Sequence, residues 1–162
     1  TCPPNALPED NAMLKNIDPL LTPDLLKVLA EMGHAAAIVL ADANFTAMSL
    51  GVGKPVLRMP GIGMARAVQA VASVLPLAQD VSHPVAYMQV GGTEVPYRSA
   101  LQRETMQVLA REGVAGEQAE GVERFAFYER VKKAYAIVVT GELQPFGNFL
   151  LRKGVIGETL RD

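Results

Sequence analysis

The side chains able to do chemistry are few, and they sit at separate places along the chain. His34 follows a helical run of apolar residues, Leu25 to Met32, closed by Gly33. An imidazole that exchanges protons near neutral pH therefore stands just past a helix C-terminus. Asp42 ends the apolar run Ile38-Val39-Leu40-Ala41, and in α/β sheets ligands bind outside the carboxyl ends of strands. Arg124 opens the segment Arg124-Phe125-Ala126-Phe127-Tyr128, and Phe146-Gly147-Asn148 follows Thr140-Gly141-Glu142. One proton-exchanging group, one carboxylate, one guanidinium and one side-chain amide suit a polar site for a small neutral ligand. Asp42 would accept from hydroxyls, and Asn148 could both donate and accept.

Each of these residues also has a plainer role. His34 could do no more than complement a helix dipole. Asp42 could cap its own turn, and Gly147-Asn148 suits a hairpin, because Asn and Gly tolerate positive φ. The aromatics after Arg124 most simply anchor a helix in the core, with Arg124 either pairing with a surface acid or projecting into a site. His83, in Ser82-His83-Pro84, reads as a solvated loop residue. With two histidines in all, spacing argues for no Ser–His–Asp triad. Gly61-Ile62-Gly63 lacks both the third glycine of a dinucleotide fingerprint and the Gly-Lys-Ser/Thr of a phosphate loop. There is no CxxC and no histidine-rich tract, so no metal site is expected, and no cofactor is called for.

The elements that must carry these groups alternate. Thr22-Pro23-Asp24 is a helix start, with a hydroxyl cap, proline at the first helical position and an acid behind it. Strands are predicted over 38–41, 56–59, 86–90, 135–139 and 148–151, and helices over 64–75, 97–112 and 125–133. Residues 43–53 and 113–121 read as loops, punctuated by glycine. The strands are apolar without period-two alternation, as expected where both faces are covered. The pattern predicts one three-layer α/β domain over residues 13–162, with a largely parallel sheet flanked by helices. Residues 1–12, with three prolines and no apolar periodicity, read as a disordered extension.

Composition narrows the function class. The chain has 162 residues, 49% of them apolar and 20% charged, an ordinary globular balance. A net charge of −2 gives no footprint for nucleic acid. No apolar run is long enough to span a bilayer. The single cysteine, Cys2, excludes an internal disulfide framework and fits the reducing cytoplasm.

Four segments carry a resemblance. They are LLKVLAEMGH at 25–34, ADANF at 41–45, RFAFYERVKKAYAIVVTGE at 124–142 and GNFLLRKGVI at 147–156. Through them the chain resembles the family of D-ribose pyranases and L-fucose mutarotases, and it is nearer to the mutarotase branch. The resemblance implies a ribose-pyranase-like fold and an isomerase that interconverts the α and β anomers of a free monosaccharide, most simply L-fucose. The alternatives it leaves are pyranose–furanose interconversion of D-ribose and sugar binding without catalysis. It implies that His34 is catalytic, and that Asp42, Arg124, Phe146, Gly147 and Asn148 bind substrate. It also implies a homo-oligomer, commonly a decamer of two stacked pentamers, with sites near subunit contacts. The chain departs from the family pattern in three places. Ala35-Ala36 stands where the histidine is usually followed by Gly-Asp or Thr-Asp, Phe146 replaces the contact-loop tyrosine, and Thr46 replaces a proline.

Overall fold

Thr22 begins the first helix as expected, its hydroxyl accepting the Leu25 N–H at 3.2 Å. The computed structural model describes residues 14–162. The elements run in the order α1 (Pro23–Glu31), β1 (Ala37–Ala41), α2 (Ala47–Leu50), β2 (Val56–Met59), α3 (Met64–Ala72), β3 (Val85–Met88), α4 (Ala100–Ala110), a 3-10 turn (Gly116–Gln118), β4 (Ala119–Val122), α5 (Arg124–Lys133), β5 (Ala136–Thr140) and β6 (Phe149–Arg152). The expected extension over residues 1–12 lies outside the described residues.

The six strands form one sheet in the order β2-β5-β1-β6-β3-β4. β2, β5 and β1 pair in parallel, as do β3 and β4. β6 runs antiparallel between β1 and β3, with Val39 opposite Leu150 and Tyr87 opposite Phe149. Five strands thus point one way and one points back, a largely parallel but mixed sheet. Because β1 separates β5 from β6, the Gly147-Asn148 segment is a crossover and not the hairpin its composition allows.

Successive strand residues face opposite sides of the sheet. Ile38, Leu40, Val138, Tyr87 and Leu151 pack on one face against α1, α3 and α4. Val39, Ala41, Ile137, Met88 and Leu150 pack on the other against Ala47 of α2 and Phe127 and Val131 of α5. The molecule is therefore helices, sheet, helices: three layers in one domain. Among the described residues no helix is long and apolar enough to cross a membrane.

Several elements differ from the sequence expectation. The short helix α2 lies inside the 43–53 stretch expected to be loop, because four residues are too few to show a helical period, and α3 and β3 stop short of 75 and 90. β4 lies inside the stretch expected to be loop, because Ala119-Glu120-Gly121-Val122 has neither an apolar run nor a β-branched cluster to announce an edge strand. α4 begins at Ala100, where Ser99 accepts the Gln102 N–H at 3.2 Å and the Gln102 side chain accepts the Ser99 N–H at 3.0 Å; this reciprocal box fixes the start. α1 does end near Gly33, but the left-handed residue of that turn is Ala35, with φ of 70°.

The segment before α1 is tied to α3 by a two-pronged ion pair, Arg66 to Asp18, at 2.6 and 2.9 Å. Burial works against the Asp18 charge, but the Arg66 bonds, the Leu20 N–H and the Arg66 charge outweigh it and hold the carboxyl below the ordinary aspartate value of 3.8. A depressed folded value stabilises the fold above the unfolded value, and that stability is lost as the pH falls through the folded one. Asp18→Asn is expected to lower stability at pH 7 by about 1.5–3 kcal/mol, the range for a hydrogen bond to a charged group. Urea titrations across pH should show the gap constant above about pH 4 and shrinking below it.

Candidate active site

Five strands end, and the reversed β6 begins, at the same edge of the sheet. Asp42 follows β1, Met88 ends β3, Arg124 follows β4, Glu142 follows β5 and Asn148 precedes β6. A cleft of about 440 Å³ opens there, lined by Asp42, Phe45, Met88, Arg124, Tyr128, Leu143, Phe146 and Asn148 among others. Its size is that of a small-molecule pocket.

Asp42 and Asn148 form its floor as a reciprocal pair. The Asp42 N–H donates to Asn148 Oδ1 at 2.8 Å, and Asn148 Nδ2 donates to Asp42 Oδ2 at 3.1 Å. Asn148 is buried and its second amide hydrogen faces the Met88 sulfur at 3.7 Å. The Asn148 amide, expected to touch ligand hydroxyls, lines the cleft and also holds the Asp42 carboxylate. Asp42 Oδ1 also accepts the Asn44 N–H at 3.0 Å. Burial pushes the Asp42 carboxyl above its ordinary value. The Asn44 N–H and the Asn148 amide pull it down without cancelling that, the Glu142 charge adds to the rise, and the Phe45 N–H opposes it.

The wall is aromatic. Arg124 Nε donates to the Tyr128 hydroxyl at 2.9 Å, one helical turn along α5, and its guanidinium lies 5.3 and 5.6 Å from the Phe125 and Tyr128 ring centres. Tyr128 meets Phe45 edge-on at 5.7 Å. Of the aromatics expected to be core, only Phe127 is fully buried; Tyr128 lines the cleft and Phe125 is exposed. An i, i+4 Arg–Tyr spacing was the available signal for Tyr128. Met88 and Phe45 carried none, since both look like ordinary core residues.

Phe146 stands in the left-handed region, with φ of 59°, a conformation that costs a residue with a Cβ roughly 1–2 kcal/mol. Gly147 is buried behind it: a Cβ there would come within 2.7 Å of the Leu101 side chain. Gly147 therefore gives the loop its shape and brings no side chain to the cleft. Glu142 faces away, its carboxylate accepting the N–H groups of Met64, Leu143 and Gln144 at 3.0–3.1 Å. It caps α3, which fills the helix N-terminus that Gly61-Ile62-Gly63 precedes.

Within one chain His34 does not join this cleft. It is exposed at the opposite edge of the sheet, where its Nε2 lies 2.9 Å from Asp80 Oδ2. The reason is topological: His34 precedes β1 and Asp42 follows it, and a five-residue strand spans roughly 15 Å. His83 lies 3.6 Å from Glu120 and is also exposed. Among the described residues no group of three His, Cys, Asp or Glu side chains is placed to hold a metal ion.

Residues 15–156 match the model of the RbsD / FucU transport protein family. An L-fucose mutarotase of Glaesserella parasuis serovar 5 (strain SH0165) is 45% identical over 144 residues, covering 88% of this chain and 96% of that protein. A fucose mutarotase of Homo sapiens is 42% identical over 146 residues, covering 88% and 94%. The crystal structure of a fucose mutarotase in complex with L-fucose from Streptococcus pneumoniae superposes with a TM-score of 0.80 at 36% identity, covering 89% of this chain and all of that one.

Loss of the Asn148 amide should be read directly at Asp42. In Asn148→Ala the carboxyl loses a donor that lowers its pKa, so its titration midpoint, followed by carboxyl ¹³C NMR, is expected to rise above the wild-type value. Stability should fall by about 1–3 kcal/mol, because the buried Asp42 N–H loses its acceptor.

Proposed function

The chain belongs to the RbsD / FucU family, and we propose on that footing that it is a mutarotase interconverting the α and β anomers of free L-fucose. The observation that carries this reading is 42–45% identity over nearly the full length of proteins named as L-fucose mutarotases. The cleft supports it, since a buried carboxylate beside an aromatic wall suits a ring that offers hydroxyls on one side and C–H groups on the other.

The reaction moves protons and no net electrons. The anomeric hydroxyl loses a proton while the ring oxygen gains one, and the C1–O5 bond opens to the aldehyde. Rotation about C1–C2 presents the other carbonyl face, and the same proton transfers in reverse close the ring as the opposite anomer. Asp42 accepts from sugar hydroxyls and fixes the ring. Arg124 and Tyr128 form one wall and Phe146 another, while Asn148 keeps the carboxylate aimed.

The proton-transfer group is His34, reaching the cleft from a second copy of the chain in a homo-oligomer. Two features support this arrangement. His34 is exposed with a carboxylate partner and lies too far from its own Asp42. Exposed Leu143 lines the cleft, and exposed Phe125 packs on Arg124 and Tyr128 beside it, apolar surface of the kind that subunit contacts cover. The lone Cys2 supports a cytoplasmic setting.

Exchange between the α and β signals of L-fucose, followed by NMR at equilibrium, tests the reading. Wild type should accelerate it. His34→Ala should lose about 10²–10⁴-fold, the usual worth of general acid–base catalysis, while still binding sugar. Asp42→Asn should bind weakly. Oligomers mixed from these two variants should recover part of the activity, because some sites then combine an intact Asp42 with an intact His34. Equal rates in wild type and His34→Ala would remove the histidine. Sugar binding without acceleration by wild type would make the protein a monosaccharide-binding module.

A further inference from the structure

Gln102 has no exposed surface, yet it carries a full amide into the core. Its oxygen accepts the Ser99 N–H at 3.0 Å and closes the box that starts α4. That task needs only an oxygen, and glutamate performs it as well. The nitrogen does something a cap does not require. One hydrogen goes to the Met88 carbonyl at 2.8 Å and the other to the Phe146 carbonyl at 3.1 Å.

Both acceptors belong to the cleft. Met88 ends β3, lines the cleft and meets the Asn148 amide through its sulfur. Phe146 lines it from the left-handed position that opens the crossover into β6. The next residue, Gly147, abuts Leu101 of the same helix turn, and the one after, Asn148, grips Asp42. The first turn of α4 thus touches the contact loop at two consecutive residues. Through Asn148, two residues past Phe146, it bears on the Asp42 carboxylate.

We propose that Gln102 is a positioning residue for the sugar cleft, clasping the Phe146 loop to the end of β3 so that Asn148 and Asp42 hold their ligand-ready geometry. The role in sugar binding rests on the function proposed above, whereas the clasp itself does not. A glutamate or methionine of similar length cannot make both bonds, because the first has no pair of N–H donors and the second has none.

Three variants separate the clasp from the cap. Gln102→Met keeps length and volume but loses both donors. Gln102→Glu keeps the cap acceptor. Ser99→Ala removes the cap hydroxyl and leaves the clasp. For L-fucose exchange, Gln102→Met is expected to raise KM about tenfold with kcat within twofold, since the proton-transfer group is untouched. Gln102→Glu should do the same, and it serves if the methionine variant folds poorly. Ser99→Ala should lose thermal stability with KM unchanged. Hydrogen–deuterium exchange of the 144–150 segment, measured without sugar, should accelerate in both Gln102 variants and not in Ser99→Ala. Unchanged loop exchange in the Gln102 variants overturns the proposal, and so does faster exchange with an unchanged KM. An equal rise of KM in Ser99→Ala would reduce Gln102 to a helix cap and also overturn it. If wild type neither binds nor converts L-fucose, the mutarotase reading fails, and loop exchange alone still decides the clasp.

Discussion

The strand that runs backwards organises everything else. A parallel sheet presents only the carboxyl ends of its strands at one edge, and each supplies a residue that follows its strand. β6 enters between β1 and β3 in the opposite sense, so its first residues arrive at that same edge. That is how Asn148 comes to lie beside Asp42, a residue 106 positions earlier. With all six strands parallel, Asn148 would stand at the far edge and the Asp42 carboxylate would keep only the local Asn44 N–H. The buried ladder on both sides of β6 fixes the register, because a one-residue slip would exchange its two faces between two apolar layers.

Asp42 is held in tension by this arrangement. Burial disfavours its charge, yet a carboxylate is the stronger acceptor for hydroxyls. The amide of Asn148 and the N–H of Asn44 resolve this in part by stabilising the ionised form. Glu142, the other carboxylate of the edge, is turned away into three backbone N–H groups. Had it faced the cleft, a second negative charge would have raised the Asp42 pKa further and competed for the same donors. The helix N-terminus that Glu142 fills is also closed to outside anions. Asp42 is therefore the carboxylate that lines the cleft, while the α3 N-terminus is already occupied.

Dividing the site between copies has a physical merit under the proposed function. An acid–base group on the same chain would have to cross the length of a strand to reach the cleft. A neighbour can present it from outside, and the same docking covers the exposed apolar rim. Under that reading, docking would exclude water and bring the proton donor in one association step.

Much of the fold was legible in local pattern. The Thr22-Pro23-Asp24 cap, the apolar runs of β1 and β5, and the alternation of strand and helix are short-range consequences of backbone and side-chain chemistry. They determined a covered, largely parallel sheet. They also marked Asp42 and Arg124 as boundary residues, because one follows a strand and the other opens a helix. β4 escaped because a partly exposed edge strand needs little apolar sequence. Tertiary structure alone decided the partners. Gly147-Asn148 suits a hairpin by composition, and only the insertion of β1 between β5 and β6 makes it a crossover. Glu142 and Asn148 sit in similar polar loops, yet one caps a helix and the other grips a carboxylate. Gln102 lies within the helix predicted over 97–112, and nothing in that pattern points to the two carbonyls it clasps. Hydrogen-bond direction, long-range pairing and the edge on which a residue emerges depend on chain path, which composition and periodicity do not encode.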